Sequence, residues 1–132
     1  MSDTYYVKTF GGLEITNDNV TVNIVELFGK QLVNLLQVLL FHSEKPVQKD
    51  ELIDILWPES KNPSSALKFS IFRLRAELNE IEFFKDKEVI VTTRKGYILN
   101  PNLDWNIDFV ELEKAYNQIN DGSELLDEKE FK

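Results

Sequence analysis

The stretch from Val47 to Leu99 limits the fold of this chain more than any other. It reads as a short helix, a turn, a longer capped helix and a two-stranded hairpin with Thr93-Arg94-Lys95-Gly96-Tyr97 at its tip. The longer helix has the clearest start. Asn62 suits the N-cap, and Pro63 sits at the first helical position, where its missing N–H is harmless. At about 100° per residue, Leu67, Ile71, Leu74 and Leu78 share one narrow stripe, which is the face to be buried. Opposite lie Ser65, Ala66, Phe69, Arg73 and Ala76, with Phe72 near the edge of that outer face and Lys68 and Arg75 flanking the core. The pattern predicts a helix over 63–79 and a hairpin over 89–99, with Gly96 in its turn.

Around this segment the chain alternates in the same legible way. Tyr5–Phe10, Leu13–Thr16 and Val20–Ile24 are rich in β-branched and aromatic residues and are separated by Gly11-Gly12 and Asn17-Asp18-Asn19, so a small antiparallel N-terminal sheet is expected. Leu32, Leu35, Leu36, Leu39 and Leu40 recur at helical spacing and predict a helix over Lys30–His42 that stops before Pro46. A shorter helix is expected at about Lys49–Leu56, with Leu52, Ile55 and Leu56 inward. After Pro101 the composition turns acidic. Asp104 to Asp108 offers helix caps, residues 108–119 are helical by period, Asp121-Gly122 breaks the pattern, and Glu124–Lys132 can begin another helix. The expected organisation is one α+β domain over 1–101 and an acidic helical segment over 102–132.

Composition narrows the function classes. With no cysteine among its 132 residues, the chain has no disulfide framework and no thiolate metal site. It has no apolar run near the roughly 20 residues of a membrane span, and its start lacks the basic and apolar regions of a signal peptide. A cytoplasmic protein is expected. His42, the single histidine, has no acidic or cysteine ligand at metal spacing and reads as a helix-end residue. Gly29-Lys30-Gln31 lacks the glycine spacing and hydroxyl of a phosphate-binding loop. No nucleophile–base pair can be picked out, so neither enzyme chemistry, a cofactor nor a metal is expected.

The net charge of −8 argues at first against a nucleic-acid partner. Its distribution points the other way. Residues 1–61 carry five Lys/Arg against nine Asp/Glu and residues 101–132 three against nine, but residues 62–100 carry seven against five. The only positive segment is the one with the projecting helix and the hairpin tip.

A short helix, a turn and a helix projecting arginine, followed by a basic hairpin, outline a winged helix-turn-helix on double-stranded DNA. Ser65 and its small neighbours permit close approach to a major-groove floor, Arg73 can bond guanine or a phosphate, and Phe69 and Phe72 can touch thymine methyls. Lys68 and Arg75 suit phosphates, and Arg75 equally suits an intramolecular pair. Arg94 and Lys95 can enter a minor groove, where negative potential is enhanced if the groove is narrow. The competing structural readings are a solvated arginine, a solvated hairpin tip, and phenylalanines that pack under a neighbour. A winged-helix protein-interaction module using Phe69 and Phe72 as an apolar patch is the alternative function.

Three blocks resemble the OmpR/PhoB-type winged-helix domain of bacterial transcription regulators: Val47-Gln48-Lys49-Asp50-Glu51-Leu52 with Leu56-Trp57-Pro58, Ile71-Phe72-Arg73-Leu74-Arg75-Ala76-Glu77-Leu78, and Thr93-Arg94-Lys95-Gly96-Tyr97. Leu56-Trp57-Pro58 and the acidic helix after Asp108-Phe109 look closer to SARP-type activators, in which a helical bacterial transcriptional activator domain follows. The resemblance covers about residues 5–100 and the first helix beyond. It implies an N-terminal sheet, three helices and a C-terminal wing, with 63–79 as recognition helix and Arg94 and Lys95 in the wing. It also implies RNA polymerase as a partner of the 57–61 loop, and it admits a homodimer on DNA. Phe72 stands where the family usually has a small polar residue, and Phe69 where it has a valine or threonine. The chain has no room for a complete activator domain or for a phospho-receiver in front, so a fragment of a longer regulator is one expectation.

Overall fold

A computed structural model describes residues 4–9 and 12–121. Three strands open the fold: β1 (Thr4–Lys8), β2 (Glu14–Asn17) and β3 (Val20–Asn23), paired antiparallel in sequence order. Tyr5 and Val7 of β1 point into the core and Tyr6 and Lys8 outward, the period of a half-buried strand. The turn between β2 and β3 places Asp18 at φ 54, a conformation an aspartate tolerates. The third strand stops one residue short of the expected Ile24. Asn23 caps a short helix instead, α1 (Ile24–Leu27), its side-chain oxygen accepting from the Glu26 N–H at 3.3 Å. Phe10, expected to close the first strand, lies outside the described residues.

Helix α2 (Lys30–Phe41) runs through the centre, with every residue from Leu35 to Leu40 buried. It ends at His42, which forms the C-cap with its N–H on the Val38 carbonyl at 3.1 Å. Helices α3 (Lys49–Leu56) and α4 (Pro63–Asn79) keep the boundaries their caps and periodicity predict. A 3₁₀ turn over Glu82–Phe84 follows, burying Phe84. The wing is β4 (Ile90–Thr93) and β5 (Gly96–Leu99), antiparallel in a register that pairs Thr93 with Gly96.

The segment after the wing departs from expectation. Asp104–Ile107 does not simply cap a helix; it is a strand, β6, lying parallel to β1 from Thr4↔Asp104 to Val7↔Ile107. The N-terminal sheet is therefore mixed, in the order β3-β2-β1-β6. The physical reason is the free edge of β1. β6 satisfies its backbone groups, Thr4 donates to Asp104 at 2.7 Å, and the Trp105 ring lies 5.4 Å from Tyr5 and 5.9 Å from Phe84. The last described helix, α5 (Phe109–Asp121), buries Leu112 and stacks Tyr116 on Phe41 at 4.3 Å with rings 13° apart. Residues on both sides of the 101/102 division thus share one core. Glu124–Lys132 and the break at Gly122 lie outside the described residues.

Candidate nucleic-acid interface

Helix α4 is amphipathic because it must cover the core with one stripe only. Leu67, Ser70, Ile71, Leu74 and Leu78 are buried, while Ser65, Lys68, Phe69, Phe72, Arg73 and Ala76 are exposed. The two rings are the outstanding members of that outer face, Phe69 being 60% and Phe72 68% exposed. Asn62 occupies the N-cap position, yet its side chain makes no capping bond, so the first-turn N–H groups of α4 keep their donor capacity for an approaching acceptor.

The two arginines of α4 have different fates. Arg73 lies across the Phe69 ring, its guanidinium carbon 5.8 Å from the ring centre, and its terminal nitrogen donates to Glu77 at 3.1 Å. Exposed pairs of this i,i+4 kind contribute only about 0.3–0.5 kcal/mol, so Arg73 is released at small cost. Arg75 is held by the wing: Nε donates to the Ile90 carbonyl at 3.2 Å and a terminal nitrogen to Thr92 Oγ1 at 2.6 Å, with the Tyr97 ring 6.0 Å away. Asn79 adds a second tie, its amide donating to the Lys87 carbonyl at 3.2 Å. The wing and α4 are thereby one body.

The wing tip is organised by Thr93, whose hydroxyl oxygen accepts from the Lys95 and Gly96 N–H groups at 3.1 Å each and donates to the Gly96 carbonyl at 3.0 Å. Tyr97 exchanges two backbone hydrogen bonds with Val47, at 2.8 and 3.0 Å, pinning β5 to the chain just before α3. Gly96, at φ 143, is required there. A Cβ on it would lie 2.0 Å from the Val47 carbonyl oxygen. This contact brings Arg94 and Lys95 beside Gln48, Lys49 and Asp50, around an open cleft of about 460 Å³. Among the described residues, the side chains of Lys49, Lys68, Arg94 and Lys95 have neither an ion pair nor a hydrogen bond. Sequence reasoning did not single out Lys49. Its place at the first turn of α3 was visible, but its approach to the wing depends on the Val47–Tyr97 bridge.

The family model "Transcriptional regulatory protein, C terminal" matches residues 20–99. The chain belongs to this family. That membership makes it a DNA-binding transcription regulator. The chain is similar to the DNA-binding domain of E. coli CadC, with a TM-score of 0.51 and 27% identity over 66% of this chain and 78% of that one. It is also similar to Mycobacterium tuberculosis EmbR, solved in complex with a low-affinity phosphopeptide. There the TM-score is 0.53 and the identity 23%, over 74% of this chain and 24% of that one, a likeness of fold. No curated protein matches the chain.

Within this regulatory domain the sequence-predicted site divides in two. Ser65, Lys68, Phe69, Phe72 and Arg73 share the outer face of α4, and Arg94 and Lys95 share the wing tip. Arg75 belongs to neither, since it joins them. In the 57–61 loop Trp57 is partly buried against the core, whereas residues 58–61 are exposed. Among the described residues no helix is long and apolar enough to cross a membrane.

Proposed function

We propose that this regulator reads DNA by sequence, with α4 in a major groove and the hairpin over 89–99 in the adjoining minor groove. The observation that carries the reading is the Arg75 clamp, which holds the outer face of α4 and the basic wing tip as a single surface. Helix-turn-helix proteins contact base edges with the N-terminal part of the second helix. Here that part presents Ser65, Lys68, Phe69 and Phe72, with Arg73 next in line and no carboxylate before Glu77. Lys68, Arg94, Lys95 and Lys49 supply the phosphate and minor-groove contacts. The modest number of cations predicts modest affinity per copy, and a homodimer on paired half-sites fits that arithmetic. The exposed loop from 58 to 61 is free to meet RNA polymerase once α4 is seated.

The test is the salt dependence of binding to duplex DNA. Each phosphate contact adds about 0.9 to the magnitude of the log–log slope. Arg94→Ala and Lys95→Ala should each flatten the slope by up to about that amount, and slopes equal to wild type in both would refute the wing assignment. Binding-site selection from a random pool tests sequence reading itself. Failure to enrich any motif would favour the one competing reading that an observation supports, in which the exposed rings of Phe69 and Phe72 dock a protein.

A further inference from the structure

The outer face of α4 carries an unusual balance of groups. Its largest side chains are two phenyl rings, each more than half exposed, within about three turns of the helix start. Of its guanidinium groups, Arg75 is committed to the wing, and Arg73 is laid over the Phe69 ring and bonded to Glu77. A bidentate contact to guanine therefore requires Arg73 to leave both partners, and it would strip the Glu77 carboxylate of its cation beside a polyanion. The rings need no rearrangement. We infer, resting on the DNA reading above, that the site discriminates its operator through the 5-methyl groups of thymine, with Phe69 and Phe72 as the specificity-determining residues and Arg73 as the group that orients Phe69.

The chemistry of the major groove supports this match. Among the base edges displayed there, the thymine methyl is the apolar group, and burying it against a phenyl ring removes both surfaces from water. Lys68, one residue before Phe69 and without a side-chain partner among the described residues, provides the charge that draws a polyanion to this otherwise apolar face. A protein partner seated on the rings alone would have no use for the basic tip joined to the same helix. The transferred methyl sets the scale, at about fourfold in affinity per buried methyl and about fifteenfold for two.

The experiment uses the whole chain and a duplex enriched from a random pool, resynthesised with deoxyuridine in place of thymidine at its core. Base pairing is retained and only the methyls are removed. Binding should weaken by about fourfold to fifteenfold, and by nothing when deoxyuridine replaces thymidine only in the flanks. Phe69→Ala/Phe72→Ala, whose rings are too exposed to be needed for folding, should bind both duplexes equally, at about the wild-type affinity for the deoxyuridine form. Equal wild-type binding to both duplexes overturns the methyl inference while leaving sequence-specific DNA binding intact. Failure to enrich any duplex overturns both. Arg73→Ala should reduce the deoxyuridine penalty by releasing the Phe69 ring, and an Arg73→Ala chain that keeps the full penalty would overturn the orienting role of Arg73.

Discussion

Gly96→Ala should detach the wing from the start of α3. The new Cβ would sit 2.0 Å from the Val47 carbonyl oxygen, 2.6 Å from its carbon and 3.0 Å from Gln48 Cα, all backbone atoms that cannot rotate away. The strands must part, and the two hydrogen bonds between Val47 and Tyr97 go with them. Each such bond contributes about 1 kcal/mol net. Holding a side-chain-bearing residue at φ 143 costs a further 1–3 kcal/mol or so. The expected loss is thus about 3–5 kcal/mol, which at roughly 4 °C per kcal/mol lowers Tm by about 12–20 °C. Urea unfolding followed by tryptophan fluorescence measures it, and hydrogen exchange at the Val47 and Tyr97 amides shows where it occurs. Gly29→Ala is the control, since an added Cβ there meets nothing within 4 Å and the cost is confined to the N-cap preference, about 0.5–1 kcal/mol. A Gly96→Ala protein within about 0.5 kcal/mol of wild type, with both amides still protected, would refute the close approach and with it the placement of Arg94 and Lys95 beside Lys49.

Arg75→Ala should cost about 1–3 kcal/mol in urea unfolding through its lost bonds to Ile90 and Thr92, yet leave the salt slope of DNA binding within experimental error. A slope flattened by about 0.9 with unchanged stability would make Arg75 a phosphate contact instead. Leu112→Ala should cost about 2–4 kcal/mol, because Leu112 is fully buried in the shared core; a loss under about 0.5 kcal/mol would mean that α5 does not dock on the winged helix. Burial pushes the Tyr116 phenol above its ordinary value of 10.0, and the Glu51 carboxylate adds to the shift. The folded state therefore favours the neutral phenol, and its contribution is present below pH 10.0 and lost as pH rises through the raised value. The phenolate absorbance that disappears in Tyr116→Phe should titrate late, and a component titrating at or below the ordinary range would remove the packing of Tyr116 against α2.

Local chemistry wrote the helices α2, α3 and α4 of this protein plainly. The apolar period of Leu67, Ile71, Leu74 and Leu78, with Asn62-Pro63 in front, marks α4 to its observed ends, and the β-branched run before Arg94-Lys95-Gly96 marks the wing. The outer-face residues of α4 follow from the same geometry, because a helix that buries one stripe must expose the opposite one. Asp104–Ile107 shows where local reading ends. Its alternation of Asp104, Trp105, Asn106 and Ile107 is only four residues long and lies among residues that also read as helix caps, and the open edge of β1, a hundred positions earlier, makes them a strand. Asn23 behaves alike, closing a strand and capping a helix at once. In the site, the type and position of Arg75 allowed either a phosphate or an internal partner. The choice was made by the wing folding back to offer the Ile90 carbonyl and the Thr92 hydroxyl. Sequence periodicity settles which face a side chain leaves by, since that is a property of one helix. Which group it then meets is a property of two elements, and depends on packing that no single segment encodes.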